Sequence, residues 1–480
     1  LRIAATIGRS FERDVLAKVA QSLDEGDIDG GVVSLIDEGV ISPEASRRPT
    51  YRFREEITRV VAYSTIPESE RRGYHRRIAD VLEKLSETDV ERSAVTLARH
   101  RERAHQFVEA AIWYERAIRQ VVFAGLDEET RYLIAQWERV VSSIPASAQP
   151  KERTMANMAV RNLVATARHG LAAEAVELSK GIADLYGRAL ESHERAIVDL
   201  WTGVALLGVG EYASARRTLK RAFDDASDST VRCDAALYLF KAFISIEAEA
   251  DWWLDRAKEL VKPGSAQALR VELARAVQVA GRGELDEARI INARIRDEAR
   301  RRDQLRIAAI ATCNLADCDL HSGDVTHALA GFEESVVMAR ALGTRSDDAI
   351  DQLNVGCCHL YAGNADGAVR YLESALAIAT DAGLHSVESE SMVHLGLALA
   401  LTDDIDQGER LVEEGQQKAG AGSFAQSAAL LHLLHIAILR RDPDLIAERR
   451  AQLDENGSKL PPLLKRTKQR LLHKAEEQLR

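Results

Sequence analysis

Apolar residues recur at helical spacing along most of the chain, and single glycines interrupt them at intervals. Residues 348–361 show this pattern clearly, because their apolar positions are typical of one face of a helix. These positions are Ile350, Leu353, Val355, Cys358 and Leu360. Gly363 predicts the end of this helix, since a residue without a Cβ adopts the left-handed conformation at little cost. A second helix is predicted for residues 367–380, and Ala368 is expected to be small because the two helices cross there closely.

The same hairpin recurs along the chain with a nearly constant step. Five pairs of a glycine followed five residues later by an alanine are regularly spaced, and the steps between their alanines are 40, 73, 40 and 40 residues. The longer step fits two units of about 36 residues. The pairs are Gly170/Ala175, Gly210/Ala215, Gly283/Ala288, Gly323/Ala328 and Gly363/Ala368. Periods of this size indicate a helical repeat array.

Stacking of the hairpins follows from their one-sided apolar stripes. Neither helix of a hairpin can bury its stripe alone, so successive hairpins must pack against each other. This predicts a right-handed superhelix with a concave inner face, lined by the first helix of each unit. In such an array each unit is expected to contact only its neighbours. We therefore expect an all-α fold, with the repeat array spanning residues 87–456.

Residues 1–86 follow a different pattern. The predicted elements are helices at 11–23 and 28–38, β-arms at 39–43 and 50–54, and helices at 55–64 and 68–85. Helix, helix, hairpin and helix is the order of a small winged-helix domain. The second helix carries carboxylates where a DNA-binding helix needs basic residues, so DNA binding is not expected. These carboxylates are Asp27, Asp29, Asp37 and Glu38.

Residues 457–480 are predicted to form a basic capping helix. The segment from Leu463 to Leu472 is amphipathic and carries basic residues on its polar face. Terminal repeats need a polar outer face, which favours a capping role. The alternative is a docking surface for an acidic partner.

Composition and motifs exclude several functional classes. The 75 acidic and 64 basic residues give a net charge of −11, which argues against a binder that relies on electrostatic attraction to nucleic acid or to a membrane surface. No run of eighteen apolar residues is present that could span a bilayer. The dipeptide Gly-Lys is absent, so there is no P-loop, and no hydrolase or zinc-protease signature occurs. We expect no enzyme and no cofactor within these residues.

The cysteines and histidines give little indication of a metal site. The five cysteines contain no CxxC pair and are predicted to be small core residues of a cytoplasmic, reducing environment. His432 and His435 are the nearest candidates for metal ligands, but they lack a third ligand, and no metal is expected.

The repeat resembles the tetratricopeptide repeat. The resemblance rests on Leu353-Asn-Val-Gly356-x2-His359, then Gly363, then Ala368-x3-Leu372 and Ala375, and similar patterns recur in the neighbouring units. It implies two antiparallel helices per unit and a binding groove on the concave side. His359 stands where Tyr is usual, and the proline that ends each repeat is mostly missing.

The first 86 residues resemble a second family. The segment from Tyr51 to Tyr63, with the following Pro67 to Asp80, is similar to the winged helix of STAND-type signalling ATPases, such as bacterial multidomain adenylate/guanylate cyclases and large LuxR-type regulators. In that family, a His after the Phe-Arg strand is implied to sense the phosphates of the bound nucleotide. Glu55 occupies this slot here, and a carboxylate repels a phosphate. Either the module has lost this sensor or the correspondence is shifted by one residue.

Four residues are candidates for the groove because they stand two positions before a tight-packing glycine or in the equivalent slot. They are Trp201, Asn314, Asn354 and His394. In tetratricopeptide proteins that bind extended peptides, Asn in this slot is implied to bond the peptide backbone, because its amide both donates and accepts. The alternative is polar packing between repeats, and for Trp201 packing within the array.

The resemblances together imply a sensor region of a bacterial signalling protein. The groove is expected to bind a protein, a peptide or a small effector, and the winged helix to transmit its occupancy to an upstream ATPase or cyclase-type output domain. The first Met is Met155, which favours a longer protein. The alternatives are the effector-sensing part of a LuxR-type transcription regulator and an assembly scaffold without nucleotide control. A homo-oligomer is compatible with each, and neither nucleic acid nor a membrane is an expected partner.

Overall fold

Helices form almost all of the described part of the chain in a computed structural model, and three short strands complete that part. Contacts between backbone segments divide the chain into two units, Leu1–Met155 and Ala156–Arg480, which are described separately below. Among the described residues, no helix is both long enough and apolar enough to cross a membrane. The structure describes residues 1–23, 26–46, 48–85, 90–124, 126–244, 246–402, 404–420, 423–456 and 462–479.

The first unit contains a small sheet surrounded by helices. Its elements are α1 (Arg2–Ile7), β1 (Ser10–Glu12), α2 (Arg13–Gln21), α3 (Ile28–Asp37), β2 (Ile41–Glu44), β3 (Thr50–Phe53), α4 (Glu56–Ser64), α5 (Glu68–Leu85), α6 (Val90–Arg103), α7 (Phe107–Ala124) and α8 (Asp127–Ser142), followed by one 3-10 turn (Ala146–Ala148). The predicted β-hairpin is present, since β2 and β3 pair antiparallel with Ile41 opposite Phe53. Arg47, in the predicted hairpin tip, lies outside the described residues.

Strand β1 was not predicted from the sequence. The structure begins the helix at Arg13 and uses residues 10–12 as an edge strand, with Phe11 opposite Tyr51, so the predicted helix at 11–23 was too long at its start. A strand of three residues is too short to show an alternating pattern. The side chain of Phe11 in β1 is buried and packs near Phe53, with ring centroids 5.9 Å apart. Together with Ile41 these rings form the core between the sheet and the helices.

The second unit consists of helical hairpins. Each hairpin pairs a first helix with an antiparallel second helix, and α25 follows the last pair. The helices are α9 (Glu152–His169), α10 (Ala172–Tyr186), α11 (Ser192–Gly208), α12 (Tyr212–Asp225), α13 (Ser229–Ala242), α14 (Glu247–Leu260), α15 (Ala266–Gly281), α16 (Leu285–Arg301), α17 (Leu305–Ser322), α18 (Val325–Ala341), α19 (Arg345–Tyr361), α20 (Ala365–Ala382), α21 (His385–Leu401), α22 (Ile405–Lys418), α23 (Phe424–Arg440), α24 (Pro443–Asn456) and α25 (Pro462–Leu479).

Glycine turns occur in the five hairpins where the sequence predicted them. The five glycines of the repeating pairs all have positive φ, and Gly363, with a φ of 77°, comes directly after Ala362, the C-cap of α19. Ala368 is fully buried where α19 and α20 cross. The closest approach occurs between α21 and α22, where a Cβ added to Gly396 would lie 2.5 Å from the backbone oxygen of Gly408. Here both helices use glycine, so their backbones touch.

The first helices of the hairpins form the inner wall of the array. They contact one another directly, although a second helix separates each pair along the chain: α11 contacts α13, α13 contacts α15, and α15 contacts α17. Likewise α19 contacts α21, and α21 contacts α23. In a curved stack the elements on the inside of the curve are crowded together, so these contacts identify the concave side.

The array also closes on itself, which contradicts the expectation that each unit contacts only its neighbours. Helix α10 contacts α20, five hairpins further along the chain. Nδ1 of His385 lies 2.9 Å from the carbonyl oxygen of Val209. A Cβ on Gly170 would lie 2.6 Å from the backbone nitrogen of Ser346. The expectation failed because the curvature of the stack brings the first hairpins back against the sixth and seventh.

Helix α25 lies on the inner side of the array. Its residues Leu471 and Ala475 are buried in the same apolar cluster as Leu434 of α23. The helix also contacts α17, whose hairpin comes three units before the hairpin of α23 and α24. Because α17 and α23 both belong to the inner wall, α25 bridges part of the concave face.

The glycine crossing gives a direct test of the packing. We expect Gly396→Ala to lower the free energy of unfolding by about 2 kcal/mol or more, because its methyl group would be forced against backbone and not against a movable side chain. Gly181→Ala is the matched control: it lies inside α10, and its added Cβ would meet nothing within 4 Å. That change is expected to stabilise the helix by up to about 1 kcal/mol. Urea denaturation followed by circular dichroism measures both, and a neutral Gly396→Ala would contradict the close crossing.

Candidate functional site on the concave face

The four groove candidates lie at equivalent positions on first helices but differ in exposure. Trp201 on α11, Asn314 on α17 and Asn354 on α19 are half-buried, whereas His394 on α21 is only 1% exposed. The Asn314 amide donates to Oδ1 of Asn292 at 3.4 Å, and the Asn354 amide lies 3.7 Å from Sγ of Cys313. Each amide therefore already has a partner between repeats and keeps part of its surface open.

His394 makes a contact between repeats. Its Nδ1 lies 3.0 Å from Nε2 of His432, and both rings are buried. Burial lowers the pKa of His394 to about 4, and the pKa of His432 is also lowered by burial and by the neighbouring ring. Both imidazoles are therefore neutral at pH 7, and the pair joins α21 to α23 in the wall of the groove. In this structure His394 presents no surface to a ligand.

Two carboxyl groups on the inner helices titrate near neutrality. Burial raises the pKa of Asp351 to about 7, although hydrogen bonds from Ser335 and Cys313 favour its charged form. The hydroxyl of Ser335 donates to Asp351 at 2.7 Å. Burial also raises the pKa of Glu390 to about 7, and the negative charge of Asp317 adds to this shift. The electrostatic effect of Asp317 on α17 reaches Glu390 on α21, which indicates that both face the same interior.

The inner wall also carries two basic residues, Arg306 and Lys241. Nε of Arg306 on α17 lies 3.1 Å from Oδ2 of Asp347 on α19. Lys241 on α13 is exposed, yet its pKa is lowered because the surrounding walls remove water from its ammonium group, an effect that Asp347 opposes. The charge of Asp347 on α19 therefore acts on α13, which lies three hairpins earlier in the chain.

Aromatic and charged side chains continue this surface toward α11. The rings of Trp201 and Tyr238 are 6.3 Å apart at a steep angle, and the Arg270 guanidinium lies 5.8 Å from the centre of the Tyr238 ring. Arg270 also forms a salt bridge with Asp234 at 2.5 Å. Trp201, Tyr238 and Arg270 thus form a row of side-chain contacts along α11, α13 and α15. The two half-buried rings are suited to hold an apolar or planar side chain.

The charges of the inner helices and of α25 are complementary. Helices α17, α19 and α21 carry seven Asp or Glu residues against two Arg. Helix α25 carries five Lys or Arg against two Glu. Burial lowers the pKa of His435 on α23 to about 4, and the positive charge of Lys474 on α25 adds to this shift. The charge of α25 therefore acts on a helix of the inner wall. Helix α25 contacts α17, α23 and α24, and its Lys468 forms an ion pair with Asp454 of α24 at 3.1 Å.

No metal or nucleophilic centre is evident in the part of the chain that the structure describes. Within it, no group of three or more His, Cys, Asp or Glu side chains is placed to hold a metal ion. Burial raises the pKa of Cys233 to about 11 and that of Cys358 to about 12, so these thiols are protonated and inert as nucleophiles at neutral pH.

Glu55, in the predicted nucleotide-sensor slot, lies at the N-terminus of α4. It is exposed, and its side chain makes no capping hydrogen bond. A short chain of hydrogen bonds begins on the same helix: the Tyr63 hydroxyl lies 2.9 Å from Nε2 of His75, and Nδ1 of His75 lies 2.8 Å from Nδ1 of His100. This chain links α4, α5 and α6.

Comparisons with known proteins agree with the architecture. Residues 306–381 match the family model of the tetratricopeptide repeat. The array is tetratricopeptide-like. The tetratricopeptide repeat is a non-catalytic protein-interaction scaffold. No curated protein matches the chain in sequence.

Two solved structures are similar to the chain at low sequence identity. A Rap protein complexed with competence and sporulation factor aligns with a TM-score of 0.50 and 12% identity, over 77% of this chain and 99% of that one. A STAND protein with a tetratricopeptide repeat sensor from Pyrococcus horikoshii aligns with a TM-score of 0.39 and 15% identity over 98% of this chain. The chain spans 64% of the length of that STAND protein.

The sequence analysis missed Asp351 and Glu390. Asp351 stands three residues before Asn354, and Glu390 stands four residues before His394, so each lies on the same helical face as a predicted groove position. A search for carboxylates at these offsets would have found them. Their altered pKa values required the folded array, because burial causes them.

Glu390 gives a testable pH dependence. Its folded pKa is raised above the unfolded value, so the native state loses stability as the pH rises from about 4.5 to about 7. Glu390→Gln removes this loss. We expect the variant to melt roughly 3 °C or more above the wild type at pH 8 and close to it at pH 5. Differential scanning calorimetry at both pH values measures the difference. Glu373→Gln, an exposed change on α20, controls for loss of one negative charge, and equal effects of both changes would refute the assignment.

Proposed function

We propose that the chain is the sensor and protein-interaction region of a multidomain signalling protein. The concave face of the array binds a segment of a protein or a peptide, and residues 1–86 act as a winged helix that couples occupancy to an upstream ATPase or cyclase-type output domain. The tetratricopeptide-like fold supports the binding role. The coupling role rests on the resemblance of residues 51–80 to STAND-type winged helices and on the observed hairpin between β2 and β3.

The position of α25 carries the proposal. This helix covers part of the concave face, buries Leu471 and Ala475 against α23 and carries a net positive charge, whereas α17, α19 and α21 together carry a net negative charge. It therefore acts as an internal example of the kind of segment that the groove accepts. The ligand class that this supports is an amphipathic, basic helix, recognised by an apolar seam on α23 and by carboxylates on α17 and α21.

Transmission between the repeat helices and the first domain has a physical basis in the first unit. The chain of hydrogen bonds from Tyr63 to His75 to His100 connects α4 and α5 with α6. Burial lowers the pKa of His75 to about 3 and that of His100 to about 4, so both are neutral at pH 7 and the bonds form between neutral groups. A displacement of α6 breaks these bonds unless α5 follows it.

A scaffold without nucleotide control is the second candidate. The observation that favours it is the exposed carboxylate of Glu55 in the slot where the family is implied to carry a phosphate-sensing His. If the scaffold role is correct, the groove binds its partner with the same affinity in the presence and absence of nucleotide. In a further alternative, the chain has the sensor role within a LuxR-type transcription regulator and detects its effector.

A peptide displacement experiment tests the groove. A fluorescent peptide of residues 462–479 is titrated with the full chain and with a chain that ends at Asn456. We expect the shortened chain to bind it at least tenfold more tightly, because α25 no longer competes. Circular dichroism and the melting temperature establish that the shortened chain is folded.

Variants of the groove complete the test. Asp317→Asn with Glu390→Gln is expected to weaken binding of the peptide to the shortened chain about tenfold, because it removes negative charge opposite basic side chains. Asn314→Ala with Asn354→Ala tests the two amides. The control is Glu373→Gln on the outer helix α20. If a folded shortened chain does not bind the peptide, or if all three variants bind it equally, the groove proposal is wrong.

A further inference from the structure

A positively charged cleft lies within the first unit, where the end of α1, helix α4 and helix α6 meet. Its volume is about 260 Å³. The lining residues are Ile7, Gly8, Arg9, Glu56, Arg59, Thr96, Arg99, His100 and Arg103. None of the groove residues described above belongs to it, so the cleft is a separate feature of the molecule.

The charge of the cleft is unbalanced. Four arginines line it against one glutamate, in a protein whose net charge is −11. Glu56 is paired with Arg59, whose Nη2 lies 2.6 Å from Oε1 of Glu56. Arg59 also donates to the backbone oxygen of Ala5 at 3.2 Å, so its guanidinium is held in place.

The other three arginines have no carboxylate partner among the described residues. Arg9, Arg99 and Arg103 are exposed and form neither an ion pair nor a side-chain hydrogen bond with any residue that the structure describes. They come from two separate parts of the chain, since Arg9 follows α1 while Arg99 and Arg103 stand four residues apart on one face of α6. Bringing three like charges to one cleft costs free energy that an anion would recover.

We propose that this cleft is a binding site for a phosphate-type oxyanion. Guanidinium groups offer forked pairs of N–H donors that match the oxygen atoms of a phosphate, and such charge-assisted bonds are among the stronger ones in proteins. The Thr96 hydroxyl adds a neutral donor at the rim. The volume holds inorganic phosphate or a diphosphate group and is too small for a folded nucleic-acid strand.

The position of the cleft gives binding a structural consequence. Helices α1 and α4 belong to the first 86 residues, whereas α6 begins the helices that follow them. An anion held by Arg9 on one side and by Arg99 and Arg103 on the other joins these two parts. His100 also lines the cleft and contacts His75 of α5, so the ligand would be placed beside the hydrogen-bond chain that connects the same helices. This inference does not depend on the groove proposal.

Isothermal titration calorimetry of the full chain tests the site. The probes are inorganic phosphate and pyrophosphate, each against sodium chloride of equal ionic strength. We expect saturable binding of at least one probe at a single site, and a rise in melting temperature with its concentration. Binding of either anion supports the site, and tighter binding of pyrophosphate assigns it to diphosphate groups. If neither anion binds more than chloride does, the proposal is overturned.

Two variants and a matched control connect the signal to the cleft. Arg99→Gln and Arg9→Gln come from the two sides, and each is expected to weaken anion binding at least tenfold, as expected for loss of one charge-assisted contact. Arg77→Gln is the control, because Arg77 is an exposed arginine of α5 that does not line the cleft. Both cleft variants should melt at or above the wild-type temperature without anion, since they relieve repulsion. Equal affinity of wild type, cleft variants and control would overturn the assignment.

Discussion

The close crossing of two helices within each hairpin is the constraint on which the second unit depends. A hairpin exposes an apolar stripe on each helix, so it is stable only when its neighbours cover it. Ala368 and the pair Gly396 and Gly408 set how closely the two helices approach, and this distance determines how the next hairpin stacks. The curvature of the wall, and therefore the width of the concave face, follows from these small residues and not from the polar side chains that line it.

Local features could be predicted from the sequence because they depend on residues near one another in the chain. The turn at Gly363 and the crossing at Ala368 need only one hairpin, and the strands at 41–44 and 50–53 need only one turn. Strand β1 was missed because its partner Tyr51 lies forty residues away. The burial of His394 and the near-neutral pKa values of Asp351 and Glu390 depend on contacts between repeats, which periodicity does not specify.

Charge is distributed unevenly over the two units. The inner wall at α17, α19 and α21 is acidic, and part of that charge is held by carboxyl groups that exchange protons near pH 7. The cleft of the first unit concentrates arginines instead. The two surfaces therefore attract ligands of opposite sign, although the whole protein is negative.

The contact between α10 and α20 fixes the number of repeats between them. In an open stack, gene duplication can add or remove a hairpin at little cost, because only the two flanking interfaces change. Here an added hairpin would shift His385 away from Val209 and Ser346 away from Gly170, and the closing interface would be lost. We therefore expect changes in repeat number to be tolerated only outside the closed turn, before α9 or beyond α21.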